Sequence, residues 1–367
     1  MSAKHVVVAG ASGLVGYAAM KHFAGVEGCK VTALSRRAPV QTFGARVVSA
    51  DLRDPAACAE LAAGLADATH LVYAALHERP ELIAGWLDPE QIATNDAMLR
   101  NLLGPLLTVA KGLRHVTLLQ GTKAYGAHVA AFNLPAREDR DEARHVPNFY
   151  WKQEGYLREA QAGADWSFTI LRPQIIFGES IGSAMNLIPA LGVYGALLKD
   201  QGQPLHFPGG TDSILEAVDA DLLARVIAWA GEADTARDQA FNVTNGDVFL
   251  WRNVWPAIAD ALGMVTGEER SASFAEMAAL PESIARWDRI RARHAPAAPA
   301  MADYVGESMQ YADFCLAVGS NRPPGAALVS TVKLRQAGFG EAMDTEAMFR
   351  HWFAAFQEKK LLPPRVG

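Results

Sequence analysis

Val8-Ala9-Gly10-Ala11-Ser12-Gly13-Leu14-Val15-Gly16 sets three glycines at regular spacing behind an apolar run. Such a turn carries a strand into a helix so tightly that backbone N–H groups can face a pyrophosphate. Gly10, Ser12, Gly13, Leu14, Val15 and Gly16 are the residues expected to meet it. Ser35-Arg36-Arg37 follows where the second strand should end. A dinucleotide fold that holds a ribose 2′-hydroxyl has an acidic residue there, about 20 residues past the glycines. Two guanidiniums suit a 2′-phosphate instead, so the cofactor expected is NADPH. Asp51 and Leu52, after the third strand, stand where an adenine could be recognised. Asp54 with Pro55 behind it suits a helix cap instead. Ala74 and Ala75 close the fourth strand with side chains small enough for a cofactor to lie close.

A second constellation follows the fifth strand. Gln120-Gly121-Thr122-Lys123-Ala124-Tyr125-Gly126 leads out of it, and Asn148-Phe149-Tyr150-Trp151 begins a later helix. Hydride-transfer enzymes of the extended short-chain dehydrogenase type place a Lys four residues after a Tyr on that helix. They also place a Ser hydroxyl after the fifth strand. Here Glu154 stands at the fourth position and Gly121 at the Ser position. A phenol titrating near 10 needs a nearby cation to become a strong donor at neutral pH. Lys123, at the strand edge where such sheets bind ligands, is the residue expected to supply it to Tyr150.

The elements that must position these residues alternate. Strands are predicted at His5–Ala9, Lys30–Leu34, Arg46–Ser49, His70–Ala74, His115–Leu119 and Ser167–Leu171, with one more at Ala240–Thr244. Helices are predicted near Leu14–Ala24, Pro55–Leu65, Glu90–Ala110, Phe149–Ala160 and Asp219–Gly231. The fold class is therefore α/β, a Rossmann-type doubly wound parallel sheet with a smaller, mostly helical substrate-binding cap. Residues 1–175 and a returning segment of about 208–249 are assigned to the cofactor domain. Residues 176–207 and 250–367 are assigned to the cap, with Trp251, Trp255, Trp287 and Trp352 as anchors.

Longer stretches carry a resemblance. Gln120-Gly121-Thr122-Lys123-Ala124-Tyr125, Asn148-Phe149-Tyr150 with Gln153-Glu154, and Arg172-Pro173 with Ile176-Phe177-Gly178 resemble progesterone 5β-reductase and iridoid synthase-like enzymes. So do Ser183-Ala184-Met185-Asn186-Leu187, Phe207-Pro208-Gly209 and the run from Ala240 to Phe249. The resemblance implies NADPH-dependent 1,4-reduction of enones or enals, with Tyr150 and Lys123 as the catalytic pair. It also implies Gln120, Pro173 and Ile176 beside the cofactor, and Phe149, Met185, Asn186 and Tyr311 around the substrate. Ala124 and Trp151 depart from it, since the family often has His and a second Tyr there.

Composition excludes other classes. Half the residues are apolar and net charge is −6, so nothing argues for a nucleic-acid partner. Arg286, Arg289, Arg291 and Arg293 lie with Glu282 and Asp288, as on a solvated helix face. Three scattered cysteines give no disulfide framework, and no histidine pair has metal-ligand spacing. A cytoplasmic, metal-free protein without a leader or membrane span is expected. The apolar run Ala184–Leu198 is read as a buried pocket wall, with a membrane-surface helix as alternative. The partner is a small-molecule enone or enal; a homodimer is left open. Carbonyl 1,2-reduction and a non-catalytic NADPH sensor are the competing functions; retention of both Tyr150 and Lys123 argues against the sensor.

Overall fold

A computed structural model describes residues 4–79, 84–210, 212–320 and 326–365. In chain order its strands are β1 (His5–Ala9), β2 (Lys30–Ser35), β3 (Arg46–Ser49), β4 (His70–Tyr73), β5 (His115–Leu119), β6 (Ser167–Pro173), β7 (Ile175–Phe177), β8 (Leu205–Phe207), β9 (Ala217–Asp219), β10 (Gln239–Val243) and β11 (Thr266–Glu269). Seven of them form one sheet in the order β10-β6-β5-β4-β1-β2-β3. Every neighbouring pair in it is parallel. The chain order reverses between β1 and β4, the point at which such sheets open a ligand crevice. The doubly wound sheet predicted from sequence is thus present.

Helices α1 (Leu14–Ala24), α2 (Pro55–Ala63), α3 (Ala84–Leu87), α4 (Pro89–Val109) and α5 (Phe149–Gln161) connect the first six strands. Further on come α6 (Leu187–Asp200) and α7 (Ala220–Ala230). Local chemistry sets the boundaries. Asp54 caps α2 by accepting from the Ala56 and Ala57 N–H groups, and Pro55 opens the helix. Asp88 and Pro89 do the same for α4. The core forms because Leu99, Leu102, Leu103 and Leu106 recur on one face of α4. They pack with Leu71 of β4, Val116 and Leu118 of β5, and Phe168 and Ile170 of β6.

Contacts divide the chain into two compact units. The first comprises Met1–Gln174, Ala220–Thr244 and Val329–Glu341; the second comprises Ile175–Asp219, Asn245–Leu328 and Ala342–Gly367. These bounds differ from the predicted ones at two places. The returning segment starts later than about 208, because β9 pairs with β7 instead of joining the large sheet. Val329–Glu341, predicted within the cap, belongs to the first unit. Ser330 N–H donates to the Ala136 carbonyl at 2.8 Å, and the Lys333 ammonium lies 5.2 Å from the centre of the Phe241 ring on β10.

The second unit is built on tryptophans, as predicted. Trp255, Trp287 and Trp352 are fully buried, each with its indole N–H donating, to the Leu205 carbonyl, the Pro299 carbonyl and the Asp219 carboxylate. In α6 every residue from Leu187 to Leu197 is buried, so the apolar run is core and not a membrane-facing helix. Among the described residues no helix is long and apolar enough to cross a membrane.

Candidate active site

The glycine turn has the shape its spacing predicts. Gly10 has φ +85°, and a Cβ there would lie 2.7 Å from the Ala74 carbonyl oxygen. A Cβ on Gly16 would lie 2.2 Å from the Gly10 carbonyl oxygen, so only glycine lets α1 start this close to β1. No side chain caps α1 at Gly13. Together these make a bare cradle of backbone N–H groups at a helix N-terminus, a fit for a phosphate group. Ser12 and Val15 are half-buried around it, Gly13 is exposed and Leu14 is buried. Ala74 and Ala75 follow β4 directly, and the Ala74 N–H donates to the Ala9 carbonyl at 3.0 Å.

Arg36 and Arg37 are exposed just beyond β2. Buried Ser35 fixes their loop by donating its hydroxyl to the Arg37 carbonyl at 2.5 Å. Asp51 is already engaged. Its carboxylate accepts from Arg53 Nε at 2.9 Å and Nη2 at 2.6 Å, and this pairing brings its pKa down to about 2. Beside it Leu52 is buried, its carbonyl held by Asn101 Nδ2 at 2.9 Å.

Lys123 sits in a single 3-10 turn, Thr122–Tyr125, that leaves β5 and ends on Gly126 at φ +80°. Tyr150 sits in the first turn of α5, where Asn148 caps the helix by accepting from the Tyr150 N–H at 3.0 Å. The cap brings the phenol over the end of β5. A Cβ on Gly121 would lie 3.4 Å from Tyr150 Oη and 3.6 Å from the Pro173 carbonyl oxygen. The Lys123 ammonium lies 3.8 Å from the centre of the Trp86 ring. The same indole meets the Tyr150 ring edge-on at 5.6 Å and Phe149 at 5.0 Å.

Burial pushes the Tyr150 hydroxyl well above its ordinary value; the nearby Glu78 carboxylate adds to this, and the Arg172 guanidinium opposes it. Burial thus favours the protonated phenol, the form that can donate a hydrogen bond. Burial and then Lys123 push the neighbouring His128 down to about 4, so its imidazole is neutral at pH 7.

Below Tyr150 lies a buried ionic network that the sequence did not reveal. Arg172, fully buried on β6, donates through Nε to Gln120 Oε1 at 2.8 Å and through Nη2 to Glu142 at 2.5 Å. Glu154 lies 3.7 Å from Arg172 and accepts from Arg144 and Arg158 at 2.9 Å each. Burial works against its charge, but Arg144 and Arg158 outweigh it and hold the carboxyl below its ordinary value. Gln120, predicted beside the cofactor, has its amide taken up inside this network.

The remaining predicted residues divide between the two units. Ile176 pairs with Val218 of β9 in the second unit, off the seven-stranded sheet. Asn186, predicted in the substrate pocket, is fully buried as the cap of α6. It donates to the Gly178 and Ser180 carbonyls and accepts from the Ile188 N–H. Met185 and Tyr311 are half-buried in the second unit, with Tyr311 stacked on Phe314. Phe149 lies against Tyr150 at 4.8 Å and Pro173 ends β6, both in the first unit. Trp86 and Arg172 were the residues missed. One stands just before an Asp-Pro helix start, and the other is a lone charge in an apolar strand.

The profile of the PRISE-like Rossmann-fold domain matches residues 82–294, which carry Trp86, Lys123, Tyr150 and Arg172. The chain belongs to that family. PRISE-like relatives include an (S)-8-oxocitronellyl enol synthase of Catharanthus roseus, 33% identical over 62% of this chain and 58% of the relative. A 3-oxo-Δ4,5-steroid 5β-reductase of Arabidopsis thaliana is 35% identical over 54% of this chain and 52% of its own length. The chain thus spans a little over half the length of the curated relatives it matches. Solved structures agree on the fold alone. UDP-glucose 4-epimerase of Thermus thermophilus, in complex with NAD, superposes with TM-score 0.63 at 16% identity, covering 96% of this chain and 99% of that one. UDP-N-acetylglucosamine 4-epimerase of Methanobrevibacter ruminantium gives 0.67 at 16% identity, covering 98% and 100%.

Proposed function

We propose that this PRISE-like chain is an NADPH-dependent reductase of the C=C bond in α,β-unsaturated ketones or aldehydes. The observation that carries the proposal is the position of the Tyr150 hydroxyl, lodged over Gly121 at the ligand edge of β5 with Lys123 on the adjoining turn. The relatives' names support it, since a 3-oxo-Δ4,5-steroid 5β-reductase reduces a double bond conjugated to a ketone.

The glycine turn would hold the pyrophosphate, Arg36 and Arg37 the 2′-phosphate, and Leu52 with Ala74 and Ala75 the space for the adenosine and nicotinamide ends. When bound there, a reduced nicotinamide would supply the one hydride that the β-carbon of the substrate takes up. The electron pair of the C=C bond then moves toward the carbonyl carbon, and the carbonyl oxygen gains charge as an enolate. Tyr150 meets that oxygen with its hydroxyl proton, and Lys123 adds positive field, the two acting as an oxyanion hole. Because burial keeps the phenol from ionising, it donates without giving its proton away. Water protonates the α-carbon, which balances the reaction as one hydride and one proton added across the double bond.

The test is NADPH oxidation with a panel of enones, followed by product analysis. A saturated ketone from cyclohexenone supports the proposal. An allylic alcohol would replace it with carbonyl reduction, and absence of turnover across the panel would remove it.

A further inference from the structure

Trp86 is held with unusual care for a residue on a connection. It lies on α3, between β4 and the Asp88 cap of α4, and is only 3% exposed. The Asp88 N–H donates back to the Gly85 carbonyl at 3.2 Å. Asn95 of α4, fully buried, clamps the strand exit by accepting from the His77 N–H at 2.9 Å and donating to its carbonyl at 2.8 Å. The carbonyl of the same Asn95 accepts from Gln153 of α5 at 2.8 Å. The exit of β4 and the helix bearing Tyr150 are therefore tied to one residue.

What the indole does there is visible from its contacts. Its N–H is buried and has no hydrogen-bond partner among the described residues, which is uncommon for a core tryptophan. Its face carries the Lys123 ammonium at 3.8 Å, within the range of a strong cation–π contact. Tyr150 and Phe149 pack on it at 5.6 Å and 5.0 Å, with Ala124 in the same buried cluster. A lysine stem has four rotatable bonds and finds its own position poorly. We propose that Trp86 is a positioning residue: its ring is the shared platform that fixes the Lys123 ammonium relative to the Tyr150 phenol. The proposal deepens the reductase reading and rests on it.

The test is a double-mutant cycle on turnover, joined to a measurement that needs no activity. Trp86→Leu removes the ring, Trp86→Phe keeps a weaker one, and Lys123→Met removes the charge. The expected result is a kcat loss of about tenfold or more for Trp86→Leu and a smaller one for Trp86→Phe, with KM for NADPH unchanged. In the Lys123→Met background the Trp86→Leu loss shrinks several-fold. An equal loss in both backgrounds means that Trp86 acts on the fold and not through Lys123, and overturns the proposal. Separately, lysines are reductively dimethylated with ¹³C-formaldehyde and the Lys123 signal is assigned by its absence from Lys123→Met. Ring current from the indole should shift that signal upfield in wild type, and Trp86→Leu should abolish the shift. An unshifted signal beside normal enone turnover sinks the platform and leaves the reductase standing. A shifted signal without any enone turnover upholds the platform and removes the reductase.

Discussion

Gly121 leaves room for Tyr150: a Cβ on the glycine would stand 3.4 Å from the phenol oxygen. Where extended short-chain dehydrogenases carry a serine, this chain brings the phenol's own oxygen down to the strand end. A methyl there makes an ordinary van der Waals contact, whereas a branched side chain must push the ring aside. Gly121→Ala should keep enone turnover within about threefold of wild type, and Gly121→Val should lose about a hundredfold through misplacement of the donor. Steady-state kinetics on both variants decides this; equal activity in the valine variant would show that the phenol is not where the reaction occurs.

Tyr150→Phe should cost about a hundred- to a thousand-fold in kcat with NADPH affinity retained, the usual loss for one oxyanion-hole donor. Burial raises the phenol far enough that its protonated form persists throughout the working range. The wild-type kcat profile should therefore show no alkaline limb from this group below about pH 9. A limb near pH 8 that vanishes in Tyr150→Phe would contradict the electrostatics described above.

Arg36 and Arg37 are exposed, and the Ser35 hydroxyl fixes only their backbone. Replacing both with alanine should lower the kcat/KM preference for NADPH over NADH by about tenfold or more while leaving turnover with NADH nearly unchanged. An unaltered preference would move recognition of the 2′-phosphate to other residues.

His70 and His115 stand together at the N-terminal ends of the parallel strands β4 and β5, their ring centres 6.5 Å apart. Burial pushes them down to about 4 and about 3. In the unfolded chain both titrate near 6.5, so between these values the unfolded state binds the protons. Stability is then full above about pH 6.5 and falls as pH drops toward 4, by roughly 2 kcal/mol per ring between pH 6.5 and 5. Urea midpoints at pH 7.5 and pH 5 should differ accordingly, and His115→Gln should flatten the difference. Identical midpoints at the two pH values would refute it.

Glu154→Lys would restore the tyrosine–lysine spacing of the extended dehydrogenases, yet it should not help. The new ammonium would face Arg144, Arg158 and Arg172, leaving Glu142 to offset Arg144 and Arg172. A loss of about 3–5 kcal/mol is expected for breaking a buried pair, readable as a lower melting temperature. A variant as stable as wild type would show that the network does not depend on Glu154.

Strand, turn and cap chemistry act over a few residues, and the sequence determined what they control. β1, β3, β5 and α1 fall where periodicity put them, and Gly10 and Gly16 are glycines because neighbouring backbone leaves no space for a Cβ. The choice of Tyr150 and Lys123 was legible through the resemblance to progesterone 5β-reductase-like enzymes, and the order of strands and helices put their segments at one sheet edge. Their electrostatic relationship was not. Only tertiary packing set an indole from another connection against the ammonium, buried Arg172 within reach of the phenol's charge, and raised the phenol's proton affinity by burial. Asn186 and Ile176 show the same limit: each is taken by a cap or a strand partner that lies far along the chain or depends on how the backbone bends locally. Desolvation and cation–π contacts are sums over neighbours brought in from distant segments, and no local pattern of residues encodes them.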